Sequence, residues 1–268
     1  MLTMVAKQNR ALERNPNNLN LVQVTSYKRR VHANIDRVWE NVLDWEHLPW
    51  LHDSSFDYVT LDSAGEWGWR TWSNAEQSAS VELCVNRDRS EYVARSYQYD
   101  HQVSEIWTHL AAAEDHTDIE VTFALPDVKP ESVDKVGTIF LKLYTHLWDE
   151  DEDMMQKRQA RLQQRFGSPA ATEMRLEKPL KLPVTVTLGR GDWTLRKIDG
   201  HVLAHSAICP HLLGPLEATE GSRLSCPWHG YQFDMVSGNC LAPAGASCQL
   251  KTPPVIQETD THFTLTLQ

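Results

Sequence analysis

No apolar run in this sequence approaches the ~20 residues that a helix needs to span a bilayer. The first twenty residues carry Asn9, Arg10, Glu13, Arg14 and Asn15-Pro16-Asn17-Asn18 and lack the apolar centre of a signal peptide, so the expected location is the cytoplasm. Positive charge is scarce: 26 Lys and Arg stand against 36 Asp and Glu, a net charge of −10, with no Lys/Arg-rich run. That balance argues against nucleic acid or an anionic membrane surface as a partner. There is no glycine-rich dinucleotide fingerprint, no internal repeat and no low-complexity tract. Cysteine is sparse, at five residues, weak support for a reducing compartment.

What is present is an ordinary globular composition, 41% hydrophobic and 23% charged. A length of 268 residues is enough for two domains with separate cores. Residues 1–19 read as a polar leader. Residues 19–31 read as a strand, 33–43 as a helix with Ile35, Val38, Trp39 and Val42 at helical spacing, and 56–123 as short alternating strands. A helical pattern then runs over about 130–165. Strand, helix, antiparallel sheet and closing helix give an α+β domain over 20–165. Eight of the ten tryptophans fall in it, as core or as pocket lining. Residues 166–180 read as a linker, and 181–268 as a small all-β domain of short strands.

The most informative stretch lies in that second domain. Cys209-Pro210-His211 is separated by fourteen residues from Cys226-Pro227-Trp228-His229-Gly230. Each short pair joins one thiolate to one imidazole. Two sulfurs suit one iron and two neutral nitrogens suit its neighbour, the donor set of a Rieske [2Fe–2S] cluster. A zinc site has the same ligand count, but its motifs usually pair Cys with Cys and His with His. Of the other cysteines, Cys84 sits in an alternating apolar run and reads as a buried small hydrophobe. Cys240 and Cys248 read as free thiols, with a disulfide conceivable. His201 and His205 flank the first loop without ligand spacing and read as strand-edge residues, and Gly230 and Gly238 as tight-turn residues.

A second constellation lies near the first helix: Asp44, His47 and His52, with Pro49 between the histidines. Five positions on a straight helix differ by roughly 140°, so both rings can face one ion only if the helix is distorted, as Pro49 allows. Otherwise the histidines are incidental polar residues. A third ligand is sought in Asp149-Glu150-Asp151-Glu152-Asp153, normally a solvated face. Phe140, Leu143 and Leu147 form an apolar stripe that continues at Met154, Met155 and Leu162, and Asp151 falls inside it. A carboxylate facing a core is costly unless paired with a metal or cation. Asp153 is the reserve.

The two cluster loops, with His211-Leu212-Leu213-Gly214-Pro215-Leu216 and Cys226 to Asp234, closely resemble those of Rieske non-haem iron oxygenases. Asp44-x-x-His47-x-Pro49-x-x-His52 and the run around Asp151 resemble the segments that hold the mononuclear iron in the same family. The first domain resembles the START-like helix-grip fold. The order differs from the family, which usually places the Rieske domain first. The resemblance implies a [2Fe–2S] cluster on Cys209, His211, Cys226 and His229, a mononuclear Fe(II) on His47, His52 and Asp151, and Asp44 bridging His47 to a cluster histidine. It also implies O2-dependent hydroxylation or a related oxidation of a small apolar substrate. Electrons would come from a separate NAD(P)H-dependent reductase, with a ferredoxin as a further carrier, and the assembly would be a homo-oligomer, a trimer in the family. An electron carrier fused to an apolar-ligand module is the alternative, and a redox-sensing receptor a third reading. Rieske proteins of respiratory complexes resemble the chain too, but where they carry two extra Cys and a Ser, this chain has Gly214, Trp228 and Tyr231. Fewer donors to the sulfurs imply a midpoint toward the lower part of the range of about −150 to +300 mV.

Overall fold

A computed structural model describes residues 12–166 and 171–268. The chain is α+β and divides into two compact units, Met1–Gln156 and Lys157–Gln268. No helix among the described residues is long and apolar enough to cross a membrane.

The first unit is built on seven strands, β1 (Leu21–Val31), β2 (Thr60–Gly65), β3 (Gly68–Trp72), β4 (Ala79–Asn86), β5 (Glu91–Gln98), β6 (His101–Ala112) and β7 (Thr117–Pro126). They form one antiparallel sheet in the order β1-β7-β6-β5-β4-β3-β2. From β2 to β7 each strand pairs with the next, so only β1 is out of sequence. Between β1 and β2 the chain passes from one sheet edge to the other through two helices, α1 (Ile35–Leu43) and α2 (Leu48–Leu51). After β7, a 3-10 turn at Pro130–Ser132 leads into the long helix α3 (Val133–Phe166).

Asn34 caps α1 by accepting the Arg37 amide at 3.0 Å, one of the donors a helix start leaves open. The helix turns Val38, Trp39 and Val42 inward. On β7 the alternation puts Thr117, Ile119, Val121 and Phe123 on the inner face, and α3 brings Phe140, Tyr144, Trp148 and Met155 against the same core. Phe123 meets Phe140 and Tyr144 at ring separations of 5.1 and 4.5 Å. Burying such a side chain stabilises the fold by about 1.5–3 kcal/mol. Gly137 lets α3 lie close to β1, since a Cβ there would come within 2.7 Å of the Val24 carbonyl.

The outer face of the sheet is also covered. Cys84, Val93 and Trp107 are buried there, with Leu12 and Trp67 against them. Burial pushes the Cys84 thiol up to about 12, as befits an apolar packing residue. The described part of the polar leader is tied down on this face. Glu105 accepts the Asn15 amide at 3.0 Å, and Arg95 donates to the Glu13 carbonyl at 2.6 Å.

The second unit contains β8 (Glu173–Glu177), β9 (Val184–Leu188), β10 (Gly191–Ile198), β11 (His201–Ser206), β12 (Glu217–Ala218), β13 (Arg223–Ser225), β14 (Gln232–Asp234), β15 (Cys240–Ala242), β16 (Val255–Glu258) and β17 (His262–Thr266). They make three small antiparallel sheets, β11-β10-β9, β12-β13-β14-β15 and β16-β17-β8. Leu188, Trp193, Leu195, Phe263 and Leu265 form its core.

Two boundaries differ from the expected ones. The division falls inside α3 at Gln156/Lys157 rather than at its end. Arg158 and Arg161 explain this: they donate to the Leu212 and Leu213 carbonyls of the first cysteine–histidine loop. Within the expected linker, β8 pairs with β17 and turns Met174 and Leu176 toward the core. Only two inward apolar residues mark that strand, too few for a clear alternation. Residues 167–170 of the linker and 1–11 of the leader lie outside the described residues.

Candidate functional site

The helix expected to bend at Pro49 in fact breaks earlier. α1 stops at Leu43 because Asp44 leaves helical angles, at φ −89° and ψ 96°. The chain turns and re-enters helix for the single turn α2, with Pro49 in its first turn, where a missing N–H costs nothing. His47 and His52 flank that turn. Their rings are 5.0 Å apart at 74°, and both are buried.

Asp151 on α3 faces the pair. Its Oδ1 lies 3.0 Å from His52 Nε2 and 3.5 Å from His47 Nε2, and it accepts the Asn41 side-chain amide at 2.9 Å. The three ligand atoms fall within 4.8 Å of one another. Burial opposes ionisation of Asp151, but the hydrogen bonds from His52 and Asn41 and the charge of the rings outweigh it and hold the carboxyl below its usual range. For His52 burial is outweighed by its bonds to Asp151 and Glu150 and by their charges, which raise its pKa. Asp44 Oδ2 lies 3.7 Å from His47 Nδ1, while its Oδ1 accepts the Glu46 amide at 3.0 Å.

The rest of the acidic run divides its labour. Asp149 and Glu152 both pair with Arg29 of β1, and Glu152 also accepts the His32 amide, so they fasten α3 to the sheet. Asp153 is exposed and does not join the group. Glu150 accepts from His52 Nδ1 at 2.7 Å. Sequence reasoning singled out neither Glu150 nor Asn41. Asn41 carried one usable signal, a polar residue one turn before Asp44 on the buried side of α1.

The triad opens onto a cavity of about 560 Å³ between sheet and helices of the first unit. Its walls include Trp69, Leu83, Ile106, Phe140, Tyr144 and Trp148, and no lysine or arginine among the described residues lines it. Of the eight tryptophans in this unit, Trp69 and Trp148 thus serve as both core and wall, whereas Trp50 is exposed.

In the second unit the two cysteine–histidine loops repeat one backbone pattern. Cys209 N–H donates to the Gly214 carbonyl and Cys226 N–H to that of Tyr231, each at 2.8 Å. The cysteine carbonyls accept from the residues four further on, Leu213 and Gly230, which take left-handed φ of 64° and 66°. The thiols of Cys209 and Cys226 are buried and hydrogen-bonded to each other. That bond, the Trp228 and His229 amides and the nearby Arg161 pull Cys226 toward thiolate. The His211 and His229 rings stand 4.7 Å apart at 88°, and Tyr231 stacks on His211 at 4.2 Å. Two sulfurs and two imidazoles at one end of the unit fit the donor set of the binuclear cluster. Cys240 and Cys248 are free thiols. His205, expected at a strand edge, is buried, its Nδ1 on the Ser206 carbonyl at 2.8 Å and its pKa lowered by burial.

Gly214 is required by close approach. A Cβ there would sit 2.5 Å from Cys226 Sγ and 2.9 Å from the Trp228 ring. Gly214→Ala therefore displaces one loop against the other, an overpacking cost of about 1–3 kcal/mol. The expected result is a loss of cluster occupancy, read as iron and sulfide content and visible absorbance. Full occupancy in the variant would show that the loops absorb the methyl group.

Comparison with known proteins agrees with this geometry in part. Residues 169–254 match the family described as "Rieske [2Fe-2S] domain". The second unit is a Rieske domain, and the family match favours a binuclear iron cluster over zinc. The oxygenase of carbazole 1,9a-dioxygenase, solved in reduced complex with its ferredoxin, is similar at 19% identity and a TM-score of 0.32. That match covers 41% of this chain and 31% of that one. The terminal oxygenase of carbazole 1,9a-dioxygenase from Novosphingobium sp. KA1 aligns at 21% identity and a TM-score of 0.30, over 37% of this chain and 31% of its own. The Zhui aromatase/cyclase from Streptomyces sp. R1128 aligns at 10% identity and a TM-score of 0.38, over 52% of this chain and 95% of its own. The chain thus spans about a third of the length of the oxygenases it resembles. No curated protein matches it.

Proposed function

We propose that the chain is a Rieske-type non-haem iron oxygenase that oxidises a neutral, apolar small molecule with O2. The observation that carries this reading is the convergence of His47, His52 and Asp151 on one point in the wall of an apolar cavity. Two imidazoles and one carboxylate are the donor set of non-haem Fe(II) oxygenases, with coordination positions left open. The fit is also chemical: each histidine turns Nε2 toward Asp151 and Nδ1 toward another carboxylate, the orientation that aims Nε2 at the shared point.

When bound, the iron would activate O2, and the [2Fe–2S] cluster on Cys209, His211, Cys226 and His229 would supply single electrons. The protein does the rest. Asn41 donates to Asp151 Oδ1 and fixes its carboxylate. The aromatic and aliphatic walls exclude water and hold the substrate by contact area. No lysine or arginine among the described residues lines the cavity and its walls are mostly apolar, so hydroxylation or a related oxidation of a neutral molecule is expected. A separate NAD(P)H-dependent reductase, a ferredoxin and a homo-oligomeric assembly belong to the same proposal, as does cytoplasmic location.

The test is iron analysis on anaerobically reconstituted protein. The cluster contributes two irons, so about three per chain supports the oxygenase, and two reduces it to an electron carrier fused to a ligand-binding module. Asp44→Asn tests the proposed link between His47 and the electron donor. A neutral amide accepts the ring N–H more weakly than a carboxylate. Both metal centres are expected to persist while electron transfer slows by roughly 10–100-fold, as for other outer partners of metal ligands. Unchanged single-turnover rates would remove Asp44 from that role.

A further inference from the structure

Resting on the iron site just proposed, we infer that Glu150 is the positioning residue for His52, fixing the ring through its far nitrogen so that Nε2 is held ready for the metal. His52 is clamped between consecutive residues of α3: Nε2 faces Asp151 Oδ1 at 3.0 Å and Nδ1 faces Glu150 Oε2 at 2.7 Å. Neighbouring positions on a helix point roughly 100° apart. Two adjacent carboxylates can therefore reach one ring only if it lies across the helix, with one carboxylate at each nitrogen. His52 is placed so because it closes α2, where the chain has just turned back toward α3.

The chemistry follows from the two nitrogens being distinct. An imidazole that ligates through Nε2 must carry its proton on Nδ1, and an anionic acceptor at Nδ1 selects that tautomer and orients the ring. It also pushes electron density toward Nε2. Glu150 makes this contact at true hydrogen-bond distance, whereas Asp44 stands 3.7 Å from the corresponding nitrogen of His47. The two ligand rings are thus held by different carboxylates, one tightly. Glu150 is itself held from outside. Its Oε1 lies 3.5 Å from His146 Nε2, which bonds the Ser54 hydroxyl at 3.1 Å, at the surface. One face of the glutamate meets a ring 2% exposed while the other reaches solvent, so the side chain escapes the full cost of burial.

The experiment is Co(II) binding by full-length, cluster-loaded protein. Affinity is measured by calorimetry, and the ligand set by X-ray absorption at the cobalt edge, which the cluster iron does not obscure. Glu150→Ala is expected to weaken Co(II) binding by about 10–100-fold with unchanged cobalt ligand number and unchanged cluster absorbance. Glu150→Gln, whose amide oxygen still accepts the Nδ1 proton though more weakly than a carboxylate, is expected to recover part of that loss, and Asp153→Asn to bind like the parent. Parental affinity in Glu150→Ala overturns the assignment. So does equal weakening in both Glu150 variants, which would make charge rather than orientation the cause, and so does loss of an oxygen ligand at the edge, which would make Glu150 a ligand. If the unaltered protein binds neither Co(II) nor Fe(II), the iron site falls, and this role with it, a result separable from all the others.

Discussion

Asp151→Asn is expected to lower the iron content from about three to two per chain, given a two-iron cluster, to leave the cluster spectrum intact, and to abolish substrate oxidation. Even outer partners of metal ligands are worth roughly 10–100-fold in affinity, and a direct anionic ligand more. The amide is nearly isosteric, so the cavity wall formed by Trp148 and Tyr144 keeps its shape and structural collapse is not the cause. Stability should fall as well. In metal-free protein His52, His47 and Asn41 hold the buried Asp151 carboxyl below its usual range, so its charge stabilises the fold at neutral pH. The metal-free variant is therefore expected to melt below the parent's temperature, and the intact cluster spectrum separates that loss from unfolding. His47→Ala should reproduce the loss of turnover. Turnover surviving in either variant would refute the iron assignment.

How much of this site the sequence carried can be argued residue by residue. Asp151 was legible because helical periodicity alone places it on the apolar stripe of α3 between Leu147 and Met155. Glu150 was not, because the same periodicity turns it toward solvent. Its role depends on a side chain long enough to come back around the helix and on where another segment leaves His52. The meeting of His47 and His52 was legible only as a requirement for distortion. Its cause is the early stop at Asp44, a backbone angle that no spacing rule predicts. The cluster loops were plain because ligands, prolines and turn glycines all lie within short stretches. The inward contacts of Arg158 and Arg161 were hidden in a charged helix end that reads as solvated.

The outer face of the sheet shows the same limit and yields the second large effect. Arg95 and Glu105 occupy strand positions that alternation assigns to water, yet their side chains are 1% and 3% exposed. A signal was present: Trp107 shares that face of β6, an expensive residue to leave in solvent. Glu105 accepts from Arg95 Nε at 3.0 Å, from Trp107 Nε1 at 2.7 Å and from the Asn15 amide at 3.0 Å. Glu105→Ala removes the acceptor of these three donors and of the Gln102 side-chain amide at once, and takes the paired carboxylate away from the buried Arg95 guanidinium. Breaking such a pair costs about 3–5 kcal/mol, a large share of the 5–15 kcal/mol a domain usually has. Glu105→Gln, which keeps one acceptor oxygen but not the charge, should fall between. Burial opposes ionisation of Glu105, but the Trp107, Asn15 and Arg95 contacts outweigh it and leave the folded pKa lowered. A depressed folded value means that the carboxylate's contribution is present above the unfolded value of about 4.3 and is lost as pH falls from there through the folded one. The gap between parent and Glu105→Ala in urea unfolding of the first unit should be full at pH 7 and shrink below about pH 4, while the cluster absorbance reports the second unit separately. A difference under 1 kcal/mol at pH 7 would show that the pair, its burial notwithstanding, only breaks even.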